Sequence, residues 1–205
     1  MMIELDFFTR AGPCEVEVST TTEHSVVLIQ GQSGAGKTTA LRAICGLVPA
    51  EGRVALGDQV WLKKRRFLRP EVSIGYVPQA GGAFLGQSVR RNVELVAAAP
   101  RAADDWLEAC GLGDVADRRV GDLSGGQLRR MAVARALATE AGLLVFDEPF
   151  AGLDAKAMQQ LLSVIVGSVG PRRPLFISSH TGETELFAAF SGAVCVASVL
   201  SGATS

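Results

Sequence analysis

The chain has 205 residues, 48% of them hydrophobic, and its 20 basic and 21 acidic residues leave a formal net charge of −1. That balance excludes a polyanion binder working by bulk charge, so no nucleic-acid partner is expected. A mean hydropathy of +0.26 excludes a disordered chain, and this length predicts one domain over residues 1–205.

The N-terminal quarter alternates like half-buried strands, with Ile3, Leu5 and Phe7 against Glu4 and Asp6, then Val16 and Val18 against Glu15 and Glu17. Gly12-Pro13 between them marks a turn. Glu4 and Asp6 also break any Lys/Arg-led apolar leader, so a secretory signal is not expected. The apolar run Val26-Val27-Leu28-Ile29 then enters the glycine-rich stretch Gly31 to Gly36, and a helical pattern follows through Leu41, Ile44 and Leu47.

Gly31-Gln32-Ser33-Gly34-Ala35-Gly36-Lys37-Thr38 fits the P-loop pattern G-x-x-x-x-G-K-[ST], and it lies after a strand and before a helix, as phosphate binding requires. Its glycines let successive N–H groups turn inward on a phosphate, and the helix adds the positive end of its dipole. Lys37 is expected to bring a point charge to the β- and γ-phosphates. Thr38 places a hydroxyl where it can ligate Mg²⁺, and Thr39 adds a further phosphate contact. A nucleotide ligand follows, with ATPases, GTPases and small-molecule kinases all open at this point.

Lys63-Lys64-Arg65-Arg66, with Arg69, reads as a solvated loop after a hairpin. From Ser88 to Ala138 the texture turns to Ala, Leu and Arg, which predicts a helical lobe (88–138) inserted into an α/β core made of 1–87 and 139–205. Pro100 and Gly111 to Asp114 divide it into about three helices. Near its end, Leu123-Ser124-Gly125-Gly126-Gln127 precedes a helix with Leu128, Met131 and Ala132 as apolar positions. Ser124 as N-cap with Gln127 three residues on forms a capping box. Gly125 and Gly126 occupy a first turn that glycine weakens, and exposed N–H groups there suit a second phosphate. Arg129 and Arg130 follow, either shaping the field of that motif or lying on an exposed helix face.

Leu143-Leu144-Val145-Phe146 and Leu175-Phe176-Ile177 are fully apolar runs that suit the centre of a mostly parallel sheet. The first ends in Asp147 and Glu148, before Pro149. Adjacent acids on a strand face opposite ways, which assigns Asp147 to Mg²⁺ and Glu148 to polarising the attacking water. The second leads to His180, at the carboxyl edge where open parallel sheets bind ligands, so His180 is expected on the γ-phosphate. Leu186 to Ser205 is uncharged but broken by Gly192 and Gly202, and reads as a buried strand with a fraying tail rather than a membrane span. Cys14, Cys45, Cys110 and Cys195 are far apart, so reduced thiols in the cytoplasm are expected rather than a zinc site or a disulfide framework.

These motifs, together with Ala151-Gly152-Leu153-Asp154, occur in the order found in the ATPase subunits of ABC transporters, which the chain resembles over about residues 2 to 200. The resemblance implies an α/β fold of the P-loop NTPase class, with a mostly parallel core sheet, an N-terminal antiparallel β region and the inserted helical lobe. It further implies a Mg²⁺-dependent ATPase on the cytoplasmic side of the cell membrane, driving transport through separate transmembrane permease subunits. Two copies would pair head to tail on binding ATP, each nucleotide lying between Lys37 of one and Ser124, Gly125, Gly126 and Gln127 of the other. Gln79, in Tyr76-Val77-Pro78-Gln79, is similar to the glutamine that joins the nucleotide and magnesium site to the helical lobe. Asp154 would cross the dimer interface. Glu148 would act as general base, with Lys37 and with His180 as its partner on the γ-phosphate. Membrane subunits would dock near Gln79 and the lobe, with Phe84 and Leu85 either facing them or packing inward.

The family usually stacks adenine on an aromatic near the N-terminus, and here Phe8 has the more suitable spacing. After His180 the chain reads Thr181-Gly182-Glu183, where the family commonly has an acid directly after the histidine. The opening Ile3 to Phe7 and the stretch Gly31 to Gly46 are similar to molybdate-type importer subunits, and an importer would add a substrate-binding protein. Haem-exporter cassettes have similar lengths; an ABC-type switch outside transport and a P-loop small-molecule kinase are the other readings. The chain ends soon after its last predicted strand, so the regulatory domain that many importer subunits append is not expected.

Overall fold

In the computed structural model, which describes residues 1–64, 66–67, 72–80, 82–99, 101–179, 188–190 and 194–203, the alternating N-terminal segment is a hairpin of β1 (Ile3–Ala11) and β2 (Cys14–Thr22). Ile3, Leu5, Phe7, Val16 and Val18 are buried on one face, while Asp6, Phe8 and Glu17 point to the other. On the far side of β1, β4 (Ala50–Leu56), β5 (Gln59–Lys64) and β6 (Arg66–Phe67) continue the antiparallel ladder.

The apolar runs form the parallel half: β3 (Val26–Gln30), β7 (Ile74–Val77), β8 (Leu143–Asp147), β9 (Leu175–Ser178) and the first half of β10 (Val194–Ala203). The ten described strands lie in the order β6-β5-β4-β1-β2-β10-β3-β9-β8-β7. β10 joins the halves, because Val194–Ser198 run parallel to β3 and Val199–Ala203 antiparallel to β2.

The central parallel strands β3, β8 and β9 are apolar up to their last residue because helices cover both faces. Val27, Ile29, Val145 and Phe176 pack toward Ala40, Leu41 and Ile44 of α1 (Lys37–Ile44). Their neighbours Leu28, Leu144, Phe146 and Ile177 pack on the other face with Met131, Leu137, Leu161 and Ile165 of α4 (Gly125–Ala138) and α5 (Ala155–Ser168). Each large side chain so enclosed contributes about 1.5–3 kcal/mol of transfer free energy.

The lobe contains α2 (Val89–Glu94), α3 (Ala102–Ala109), two short 3₁₀ turns and α4. Val93, Leu107 and Leu112 belong to the same apolar cluster as Phe146 and Ile177, so lobe and sheet share one core through α4. From Met131 to Ala138 almost every α4 residue is buried, as a helix with neighbours on all sides requires.

Three expectations need correction. The first helix stops at Ile44 rather than continuing through Leu47, which is 60% exposed. Gly46 takes the left-handed conformation (φ 70), Leu47 N–H bonds back to Arg42, and the Trp61 indole donates to the Ile44 carbonyl at 2.8 Å. This is a glycine-terminated helix end whose last carbonyls are satisfied. The C-terminal strand begins at Val194 and is only half covered, with Leu200 64% exposed. Lys63 and Lys64 belong to β5 and Arg66 to β6, not to a loop; Arg65 and Arg69 lie outside the described residues.

Candidate active site

β3, β8 and β9 all deliver their carboxyl ends to one edge of the parallel sheet, and the residues that follow meet there. After β3 the chain turns tightly, with Ala35 N–H bonded to the Gln32 carbonyl, and enters α1 at Gly36. Gly36 has φ 98, and a Cβ there would come within 2.4 Å of a Val16 methyl, so both conformation and space demand glycine. No side chain caps α1. Its first N–H groups are therefore left for an anion at the positive end of the dipole. Gln32, Ser33 and Gly34 are exposed, while Lys37 is buried and donates from Nζ to the carbonyls of Gly31 at 2.8 Å and Gln32 at 3.1 Å. The ammonium thus stands inside the loop that the motif places around phosphate.

Thr38, on the first turn of α1, donates its hydroxyl to Asp147 Oδ2 at 2.7 Å, and the buried Ser178 hydroxyl donates to Asp147 Oδ1 at 2.7 Å. Asp147 is 1% exposed, so these bonds compensate the desolvation of its charge. The Thr38 hydroxyl and the Asp147 carboxylate are adjacent oxygen donors, the set a hard cation such as Mg²⁺ takes, and the two residues fit that ion. Glu148 lies at φ 51, the left-handed region, and its N–H bonds to the Ser178 carbonyl and hydroxyl. That twist carries its carboxylate away from Asp147 to Gln79, whose Nε2 donates to Glu148 Oε2 at 3.3 Å. Gln79 is thus bonded to the second acid, not to the Thr38–Asp147 pair with which it was expected.

The second glycine motif forms a separate cluster. Ser124 accepts from Gln127 N–H at 3.2 Å while Gln127 accepts from Ser124 N–H at 2.9 Å, the expected capping box. Gly125 has open space where a Cβ would stand, and Gly126 lies against Leu153. Together with Ala151 to Asp154 these residues line an open cavity of about 370 Å³. Asp154 caps α5 by accepting from Ala157 N–H at 2.8 Å, which accounts structurally for its side chain.

One expected residue is not brought to this edge, and another lies outside the described residues. Phe8 lies on the β1 face opposite Thr9 and Val16, beside a shallow cavity lined by Arg10, Pro49 and Glu51. His180 lies outside the described residues; Ser179, just before it, is buried. Two residues were missed. Ser178 goes unmarked in the sequence, although a hydroxyl ending a buried apolar run is a polar atom that needs a partner. Arg129 was given only to the motif's field or to solvent, but its Nη1 donates to the Gln79 carbonyl at 2.5 Å, a contact across 50 residues that carries no local signal. Arg130 likewise bonds the carbonyls of Cys110 and Gly111.

The chain is similar to known proteins of one family. The family described as ABC transporter matches residues 17–151. The molybdenum import ATP-binding protein ModC of Brucella abortus is 38% identical over 165 residues, 76% of this chain and 46% of that protein. Its counterpart in Rhodospirillum rubrum is 34% identical over 198 residues, 90% of this chain and 53% of the relative. That of Pseudomonas fluorescens is 41% identical over 147 residues, 67% and 41%. The chain spans about half the length of these relatives. Among solved structures, the ATP-binding cassette MJ0796, solved as a dimer in a post-hydrolysis state with ADP and Pi, has a TM-score of 0.69 at 23% identity and 88% coverage of each chain, a likeness of fold.

Proposed function

The chain belongs to the ABC transporter family, and from that premise we propose that it binds and hydrolyses ATP to energise transport through separate membrane subunits. The observation that carries this reading is the pairing at one sheet edge of Lys37 in its loop, Asp147 bonded to Thr38, and Glu148 turned apart from Asp147 toward Gln79. Residues 1–205 act as one cassette, with 1–87 and 139–205 as core and 88–138 as lobe. Among the described residues no helix is long and apolar enough to cross a membrane, which is consistent with work done through partners. Phe84 and Leu85, 52% and 70% exposed beside the Gln79 segment, are the surface offered to those partners on the cytoplasmic side. The ModC relatives are named for molybdenum import, so molybdate is the substrate class proposed, with a substrate-binding protein delivering it.

Catalysis is positioning and electrostatics. Residues Gly31 to Gly36 wrap the phosphates with their N–H groups, Lys37 places its charge among them, and Thr39 adds a further contact. Thr38 and Asp147 would hold Mg²⁺, which would supply neutralising charge to the phosphate oxygens. Glu148 takes the proton of the attacking water, held by Gln79, with His180 assigned to the γ-phosphate. Ser124 to Gln127 offer the second set of donors to the nucleotide of a partner copy, and Asp154 crosses to it. Phe8, exposed on β1, is assigned to the adenine ring.

The test is Mg-ATP hydrolysis by parent and Glu148→Gln, alongside nucleotide binding. The variant is expected to bind ATP as the parent does and to lose at least about a hundredfold in turnover. Turnover at the parent rate would remove Glu148 from the base role.

A further inference from the structure

Two arginines of α4 reach main-chain carbonyls in the segment that follows β7. Arg129 Nη1 donates to the Gln79 carbonyl at 2.5 Å, and Arg135 Nη1 to the Gly82 carbonyl at 2.5 Å. The Arg135 guanidinium also lies 5.7 Å from the centroid of the Phe84 ring. From the same Gln79, the side-chain Nε2 reaches Glu148. Arg129 stands one turn after Gly125, where α4 begins at the capped second glycine motif, roughly 6 Å along the axis.

We infer that Arg129 is a positioning residue for hydrolysis: it ties the Gln79 main chain to α4, so that the Gln79 amide meets Glu148 according to where α4 lies. The inference rests on the ATPase reading and names the contact through which the second glycine motif acts on the base. A charged donor to a carbonyl is stronger than a neutral hydrogen bond, and a planar guanidinium fixes direction as well as distance. One such bond would let the segment pivot. The second anchors the Gly82 carbonyl to the same helix. Because α4 is one continuous helix, closely packed from Met131 onward, it holds both arginines at a fixed spacing. Gln79 is exposed and Arg129 half-exposed, so the bond adds little to global stability. Its effect falls on geometry, and therefore on kcat.

The full chain is compared as parent, Arg129→Ala, Arg129→Lys, Gln79→Ala and the Arg129→Ala/Gln79→Ala double variant. Three readouts are used: steady-state ATP hydrolysis, nucleotide binding, and hydrogen exchange in a peptide spanning Gln79 to Leu85. Arg129→Ala is expected to lower kcat about three- to tenfold with KM for ATP within about twofold of the parent. Arg129→Lys should recover part of the loss. In the Gln79→Ala background the arginine should cost nothing further, because both act through one amide. Exchange in the 79–85 peptide should accelerate in Arg129→Ala while that of α1 is unchanged. Losses that multiply, a change confined to KM, or parent-like kcat would overturn the inference. If the parent releases no phosphate, the ATPase reading fails separately. Hydrogen exchange then still decides the tie, and unchanged exchange in Arg129→Ala overturns it.

Discussion

Among the described residues Glu148 is one of three non-glycine residues at positive φ, and it stands at the site while Lys64 and Glu140 do not. A side chain with a Cβ occupies that region at a cost of about 1–2 kcal/mol. The return is direction: the twist separates two neighbouring acids that a straight strand would send to opposite faces of the sheet, and it aims one at Gln79. Glu148→Gly should therefore gain about 1 kcal/mol of stability, seen as a melting temperature higher by roughly 2–4 °C, while losing turnover. An unchanged or lower melting temperature would mean that the Gln79 bond outweighs the strain. Cys110 gives a test of a different kind. It is fully buried, and burial pushes its thiol up to about 12. In the unfolded chain the thiol ionises near about 8.5, so above that pH the unfolded state sheds a proton that the folded state keeps. Stability is therefore full below about pH 8.5 and falls as pH rises toward 12. Between pH 9 and 10.5, urea unfolding should show the parent losing about 2 kcal/mol more than Cys110→Ala. Equal losses would show that the thiol is not shielded from solvent.

At the scale of elements, Asn92 of α2 is what holds the segment bearing Phe84. It is fully buried, accepts from Phe84 N–H at 2.8 Å, and donates to the carbonyls of Phe84 at 3.1 Å and Ser88 at 2.9 Å. Asn92→Ala would leave these main-chain groups without partners, a cost of about 2–4 kcal/mol, read as a melting temperature roughly 5–15 °C lower. A shift under about 1 °C would show that water replaces the amide. Asn92 was not legible in the sequence, since its partners are set by how α2 packs rather than by spacing. The same holds for Arg129 and Gln79, which only the docking of α4 against β7 brings together. The strands of the parallel core were legible, because burial on both faces leaves a continuous apolar run such as Leu143 to Phe146. So was the capping box at Ser124, a local structure that four residues fix by themselves. The start of β10 was not, because Leu186 to Ser205 has neither charge nor clear alternation to mark an edge. The P-loop and the two acids were legible as types, whereas the φ of Glu148 and the Ser178 hydroxyl on Asp147 depend on how β8 and β9 register.

At the scale of the whole molecule, the two glycine motifs serve different clusters within one chain. Lys37, Thr38, Asp147, Glu148 and Gln79 meet at the sheet edge, while Ser124 to Gln127 open onto a cavity shared with Ala151 to Asp154. Each cluster offers donors from one side, which suits a nucleotide held between two copies arranged head to tail. On the proposed reading, the tie from α4 to Gln79 would let closure of one copy on the nucleotide of the other position Glu148, with Phe84 and Leu85 in the same segment.

The most direct measurement is light scattering on parent and Glu148→Gln, each with and without Mg-ATP. The account predicts a species near the monomer mass of 21.5 kDa without nucleotide, and a doubling of mass for Glu148→Gln with Mg-ATP. A Glu148→Gln variant that binds Mg-ATP and stays monomeric would contradict pairing through the two glycine motifs.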